Sequence, residues 1–251
     1  MTTLDWQQWF ARWEAMQNCY VPQRLHRFDL MLRLPDPPTE GEVRILDLGC
    51  GLGSVAFRAL RRYPRAQVVA VDWNPVLLDM GRRMAETKSE SRIQFTQADI
   101  REPGWWADHD GAFDLVLSAN ALHWLNATHL AEIYQRIYRA LRSSGWFLNS
   151  DHVASDYPET QARYRQLLQA HQRAALHTAN ADDWDGFWQA LSREMGQSDL
   201  LAQHNEAEIW EGSEDGQPRQ FHLDTLRACG FERIEFHWQE MGEAIIGARK
   251  A

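Results

Sequence analysis

Three glycines spaced two apart, Gly49-Cys-Gly51-Leu-Gly53, stand between an apolar run (Val43 to Leu48) and a segment of helical character starting at Ser54. Glycines at such a junction let backbone pass close to a ligand at a helix N-terminus. The chemistry this suits is nucleoside binding. Val68-Val-Ala-Val-Asp72 supplies a second strand that ends in an acid about 20 residues on, where a carboxylate accepts hydrogen bonds from both hydroxyls of a ribose. Asp47 sits just ahead of the glycines; an acid there repels a diphosphate and suits an ammonium group. Dinucleotide sites use Gly-x-Gly-x-x-Gly, so both the spacing and Asp47 disfavour a nicotinamide oxidoreductase. His123 closes a second telling segment, Phe113-Asp-Leu-Val-Leu-Ser-Ala-Asn-Ala-Leu-His-Trp124, beyond a strand ending near Ser118. Its ring has two readings. It takes a proton from, or bonds to, a substrate group, or it fixes the loop after the strand.

The elements that must hold these residues alternate. Strands are expected at 43–49, 67–72, 93–98, 113–119 and 145–151, with helices near 54–63, 75–88 and 128–142 between them. Asn74-Pro75 reads as a cap followed by proline at the first helical position, Thr128 as the next cap, and Ser143-Ser-Gly145 as the end of that helix. Such alternation gives an α/β fold, a parallel sheet with helices on both faces. Residues 4–19 and 22–33 read as two helices ended by Pro35-Asp-Pro-Pro38. After residue 152 the alternation stops: 159–177, 182–195 and 198–209 read as helices, followed by the polar loop Gly212-Ser-Glu-Asp-Gly216. A helix at 220–229 and strands at 233–238 and 243–247 complete the chain. Four regions result: 1–40, 41–152, 153–219 and 220–251.

Composition narrows the partners. A chain of 251 residues accommodates one domain with a sizeable core and an elaboration. A net charge of −9 argues against a nucleic-acid partner. No apolar run approaches the roughly 18 residues of a membrane span, and Met1-Thr-Thr-Leu-Asp5 does not read as a signal peptide. A cytoplasmic location with no membrane partner is the expectation. Cys19, Cys50 and Cys229 lack metal-type spacing and read as free thiols, with no metal expected.

Asp47-Leu-Gly-Cys-Gly-Leu-Gly53 resembles motif I of the class I S-adenosylmethionine-dependent methyltransferases, and the layout over 43–152 and 220–250 is similar to that family's fold. Leu226-Arg-Ala-Cys-Gly-Phe231 and the two strands after it resemble the family's closing hairpin. The resemblance implies a Rossmann-like seven-stranded sheet, mostly parallel, whose last strand is antiparallel. An N-terminal helical cover (1–40) and a helical insertion (153–219) would then flank the cofactor-binding core. It implies S-adenosylmethionine as cofactor, S-adenosylhomocysteine as product and a small-molecule methyl acceptor. Asp47 would meet the methionine ammonium, with Gly49, Cys50, Gly51 and Gly53 along the cofactor and Asp72 on its ribose. Trp73 would flank the adenine or pack on the next helix. Asp99 would accept from the adenine's exocyclic amine, the Ile100 amide would face a ring nitrogen, and Asn120 or Ala119 would lend a carbonyl to the ammonium.

Ser118-x-x-x-Leu122-His123-Trp124 resembles the small-molecule subgroup that includes trans-aconitate methyltransferase and juvenile hormone acid methyltransferase. At the acceptor end the candidates are Tyr20, Arg24, His123, Trp124 and His152, with Arg12 and Arg27 as further cations for a carboxylate. Twelve tryptophans include Trp6, Trp9 and Trp13 at helical spacing and the pair Trp184 and Trp188. They read as amphipathic covers, as an aromatic-walled pocket, or as both. A carboxylate nucleophile needs no base, and carboxylate O-methylation is the expected reaction, with N- or C-methylation of a small metabolite as the alternative. No Asn-Pro-Pro-Tyr-type sequence, the mark of amide and nucleobase N-methylation, follows the fourth strand. A catalytically silent S-adenosylmethionine-binding regulator or partner subunit is the alternative of another class. Monomer and homodimer both remain open.

Overall fold

The apolar runs of the first half form central strands because a parallel sheet is covered on both faces. The computed structural model describes residues 4–35, 41–197, 202, 204 and 211–251. Strands β1 (Arg44–Leu48), β2 (Gln67–Asp72), β3 (Ile93–Gln97), β4 (Phe113–Ala119) and β5 (Leu141–Ala154) are joined by α3 (Ser54–Arg62), α4 (Pro75–Thr87), the short α5 (Pro103–Trp106) and α6 (Ala127–Ala140). Ahead of them lie α1 (Trp6–Tyr20) and α2 (Arg24–Arg33). After them come α7 (Pro158–Ala179), α8 (Trp184–Met195), β6 (Gln217–Pro218), α9 (Arg219–Cys229), β7 (Arg233–Glu240) and β8 (Glu243–Arg249). The sheet order is β3-β2-β1-β4-β5-β8-β7. β8 runs antiparallel to both its neighbours, β5 and β7. An eighth strand joins the expected seven: the two-residue β6 pairs with the end of β5 at Val153 and Ala154.

Chain order reverses between β1 and β4, which pair in parallel with Leu48 opposite Ser118. In an open α/β sheet this switch point leaves a crevice at the carboxyl ends of the strands. Two apolar layers fix the sheet around it. Leu46, Val116 and Phe147 pack under Ile133, Tyr134 and Ile137 of α6. On the opposite face Ile45, Leu115 and Leu148 pack against Phe28 and Met31 of α2 and Val55 of α3. A third cluster joins Trp9, Trp13 and Met16 of α1 to Phe187, Trp188 and Leu191 of α8, over Leu77 and Met80 of α4. Each fully buried side chain of this size stabilises the fold by about 1.5–3 kcal/mol.

Local expectations are corrected in two places. Asn126, not Thr128, caps α6, its side chain accepting from the His129 amide at 2.9 Å. That helix ends at Ala140 rather than at Ser143–Gly145, because Leu141 already pairs with Phe113 and the strand continues through an irregularity. Asn74 caps α4 as read, accepting from the amides of Val76 and Leu77 at 2.9 and 3.2 Å. Most of the helix expected at 198–209, and Asp36-Pro-Pro38 of the first breaker, lie outside the described residues. No helix among the described residues is long and apolar enough to cross a membrane.

Candidate functional site

A cavity of about 1010 Å³ lies at the carboxyl ends of the strands. That is the upper end of the roughly 300–1,000 Å³ of single-ligand pockets, room for a cofactor and an acceptor together. The glycine-rich turn forms one wall. Gly49 has φ +65°, and a Cβ there would lie 2.3 Å from the Ala121 Cβ, so only glycine lets the first and fourth strand ends approach this closely. Gly51 donates its amide to Asp72 at 2.8 Å, and Cys50 also lines the cavity. Gly53 does not line it. It precedes α3, where a Cβ would lie 3.0 Å from the Phe95 ring, so its place is helix-on-strand packing rather than cofactor contact.

Two buried acids face the cavity beside the turn. Asp47 accepts one amide, from Ala56 at 3.1 Å. Burial, opposed by that hydrogen bond and assisted by the charge of Asp72, pushes its carboxyl up to about 7. Asp72 accepts from the amides of Gly51 and Asn74 at 2.8 and 2.9 Å. Burial also raises its carboxyl, against the pull of those amides. The cavity continues past Trp73, whose ring lies 5.4 Å from His204. Asp99 and Ile100 follow. Asp99 is gripped by Arg101, whose guanidinium reaches both carboxylate oxygens at 2.6–3.0 Å. Asn120 lines the cavity with φ +52° and donates its amide to the Ser150 carbonyl at 2.9 Å, which leaves its own carbonyl uninvolved in that bond.

His123 and Trp124 occupy a 3₁₀ turn after β4 and line the same cavity, as does His152 at the end of β5. The residue that organises them is Asp151, which the sequence reading passed over. Its Oδ2 accepts the amides of Leu122 and His123 at 2.9 and 3.1 Å. Its Oδ1 accepts the His152 amide at 2.9 Å and meets His123 Nδ1 at 2.6 Å. Burial opposes ionisation, but the charge and hydrogen bond of His123 hold the Asp151 carboxyl well below its ordinary range. An ionised Asp151 places the imidazole proton on Nδ1 and leaves Nε2 as the accepting nitrogen. His123, Asp151 and His152 bring ligating atoms within 4.8 Å of one another. Four N–H groups already fill the acceptor positions of Asp151, an arrangement suited to proton transfer more than to metal ligation.

His152 stands beside His123 with ring centroids 4.6 Å apart. Its Nδ1 lies 2.8 Å from Glu243 Oε1, off the line of a good hydrogen bond. Burial works to lower the His152 pKa, yet Glu243 and Asp151 raise it overall. The turn that carries His123 is braced by the loop ahead of β6. Gly212 and Ser213 donate to the carbonyls of Trp124 and His123 at 2.7 and 3.2 Å. A Cβ on Gly212 would lie 2.2 Å from the His123 carbonyl.

The arginines expected to receive a carboxylate are committed elsewhere. Arg12 pairs with Asp182 at 2.9 Å, Arg24 with Glu14 at 2.9 Å, and the fully buried Arg27 with Glu243 and the Ser150 hydroxyl. Arg24 does line the cavity, but its guanidinium is spent on Glu14 and Asn18. Tyr20 lines it too, and its hydroxyl accepts the Trp184 amide at 3.0 Å, tying α1 to α8. One signal for Asp151 was present in the sequence. Asn149-Ser-Asp151 breaks an apolar central strand, and buried polar groups in such a place need partners.

Comparison with known proteins agrees with this geometry. A methyltransferase domain family matches residues 45–145. The malonyl-[acyl-carrier protein] O-methyltransferase of Paenibacillus sp. (strain JDR-2) is 24% identical over 198 residues, covering 77% of this chain and 67% of that protein. The trans-aconitate 2-methyltransferase of Streptomyces coelicolor is 36% identical over 118 residues, 45% of this chain and 37% of that protein. The chain thus spans only part of the length of these relatives. The solved structure of an O-methyltransferase family protein from Burkholderia thailandensis shares the fold, with a TM-score of 0.60 at 15% identity, over 90% of this chain and 56% of that one. From the glycine turn, the acid-ended second strand, the sheet order and the family match together, residues 45–145 are a methyltransferase domain of the class I S-adenosylmethionine-dependent type.

Proposed function

We propose that this protein transfers a methyl group from S-adenosylmethionine to a hydroxyl or amine of a small molecule, with His123 as general base. The observation that carries this reading is the His123–Asp151 dyad, buried in the wall of the cavity that the glycine-rich turn also lines. Gly49 and Gly51 would give the cofactor backbone access, Asp47 would meet its ammonium, and Asp72 would take its ribose hydroxyls. When bound, the cofactor supplies a methyl group already activated on a sulfonium. The chain's own residues then position the acceptor, exclude water and accept the acceptor's proton. His123 takes that proton on Nε2, and Asp151 stabilises the imidazolium that results. Asp151 itself stays ionised, held so by the three backbone amides and the imidazole that donate to it.

Carboxylate O-methylation is the second reading, supported by the names of the malonyl and trans-aconitate relatives. Against it stand the arginines, each already paired with an acid. Transfer of labelled methyl from S-adenosylmethionine into a small-molecule extract tests both readings. Label that survives mild alkali on the product supports a hydroxyl or amine acceptor. Label released as methanol identifies an ester and favours the second reading. An absence of transfer across extracts, with S-adenosylhomocysteine still bound, returns the chain to a silent binding role.

A further inference from the structure

We propose that the acceptor carries a cationic group, held at the end of the cavity formed by α7, the β7–β8 turn and the loop ahead of β6. This rests on the methyl-transfer reading and names the class of its substrate. Four acids line that end: Glu214, Asp215, Glu240 and Glu243. Asp215 is neutralised by Arg165 at 2.6 Å, and Glu243 by Arg27 with His152 close by. The exposed Glu214 and the half-buried Glu240 form no ion pair among the described residues, although the Arg165 guanidinium also feels the charge of Glu214; Glu240 accepts the Gln23 amide group. On the other side of the balance, all three arginines of the lining are tied up. Arg24 holds Glu14, Arg101 holds Asp99 and Glu211, and Arg165 holds Asp215.

A cavity end with two carboxylates outside any ion pair and no uncommitted guanidinium disfavours an anion and attracts a cation. Aromatic faces add to it. Tyr164 packs on the β7–β8 turn, 3.6 Å from where a Gly242 Cβ would sit, and lines the cavity with Trp124 and Trp238. Trp238 already holds one guanidinium, that of Arg27, 5.4 Å from its ring centre. Such rings recognise ammonium groups by the same attraction. The acceptor therefore presents a neutral hydroxyl or amine to His123 and a separate positive charge to Glu214 and Glu240.

The test compares two probes of similar shape and opposite charge, tyramine and 4-hydroxyphenylacetate. Their binding is measured by tryptophan fluorescence and calorimetry on the full chain saturated with S-adenosylhomocysteine. Tyramine is expected to bind at least tenfold more tightly. The double variant Glu214→Gln/Glu240→Gln should reduce that ratio to near one while leaving S-adenosylhomocysteine affinity unchanged. Equal affinity of the two probes, preference for the anion, or binding of neither at millimolar concentration overturns the proposal while the methyl-transfer reading stands. Failure of S-adenosylhomocysteine to bind at all overturns both.

Discussion

Replacing Asp47 by asparagine should stabilise the ligand-free protein and weaken its cofactor binding, and the two effects should share one pH dependence. Asp47 is 1% exposed, accepts one hydrogen bond and lies near a second buried carboxylate. Its pKa rises from 3.8 to about 7. That is roughly a thousandfold in proton affinity, or about 4 kcal/mol. A raised acid makes the folded chain hold more protons than the unfolded chain between those two values, so stability falls as pH climbs through the window. The whole deficit is present above pH 7. At pH 8 Asp47→Asn should therefore raise unfolding stability by about 1–4 kcal/mol, the lower figure allowing for an amide with imperfect partners. Near pH 4 it should change little. Binding runs the other way. An ammonium beside Asp47 favours the ionised form, so S-adenosylhomocysteine should expel its proton and bind up to about tenfold more tightly per pH unit until pH 7. Calorimetry at pH 5.5, 6.5 and 8.0, in buffers of differing ionisation enthalpy, reads affinity and proton release together. Asp72 is the other buried acid able to release a proton there, and the Asp47→Asn variant separates the two shares. Wild-type protein that binds equally at all three pH values without proton release, or an asparagine variant of unchanged affinity, refutes the pairing.

Asp72→Ala should weaken S-adenosylhomocysteine by about a hundredfold or more, because the carboxylate also fixes the Gly51 and Asn74 amides; unchanged affinity in calorimetry would sink the ribose assignment. His123→Ala should lower turnover at least a hundredfold with cofactor affinity intact, and a flat pH–rate profile in the wild type would return His123 to a structural role. Asp151→Ala should cost about 3–5 kcal/mol of stability, since three backbone amides and an imidazole lose their partner. The depressed pKa of Asp151 means that its contribution is present above the ordinary carboxylate range and is lost as pH falls through and below 3.8, which urea unfolding across pH checks. Gly212→Ala should cost about 1–3 kcal/mol and reduce turnover, because its Cβ would lie 2.2 Å from the His123 carbonyl; unfolding and kinetic assays that both match wild type would show that the loop yields freely.

Much of the glycine-turn wall of the cavity was legible because its signals are local. The glycine spacing, Asp47 and the acid ending β2 fall within two short runs, and strand periodicity places each at a strand end. His123 was legible for the same reason, a few residues past β4. Its meaning was not, because its partner lies on another strand. Asp151 sits 28 residues away, and only the pairing of β4 with β5 brings the two together. The acceptor side was misread where charge pairing is long-range. Arg27 finds Glu243 across 216 residues, and Arg12 finds Asp182 across 170. A cation counted from sequence is a recognition group only if the fold leaves it unpaired, and here it does not.

The tryptophans resolve in the same way, through contacts between distant segments. Trp13 meets Phe187 with ring centroids 5.3 Å apart, and Trp9 meets the same ring at 5.6 Å. Arg12–Asp182 and the Tyr20–Trp184 hydrogen bond lie along the same seam. The N-terminal cover and the insertion are therefore packed on each other as much as on the core, and both readings of the aromatics hold at once. Trp9 is buried in the seam, whereas Trp13 and Trp184 also face the cavity. A substitution in the insertion that resizes the acceptor end must then be felt through α1, which carries Glu14, Gln17 and Tyr20 toward the glycine-rich turn. Acceptor choice and cofactor affinity are therefore expected to be coupled through that seam.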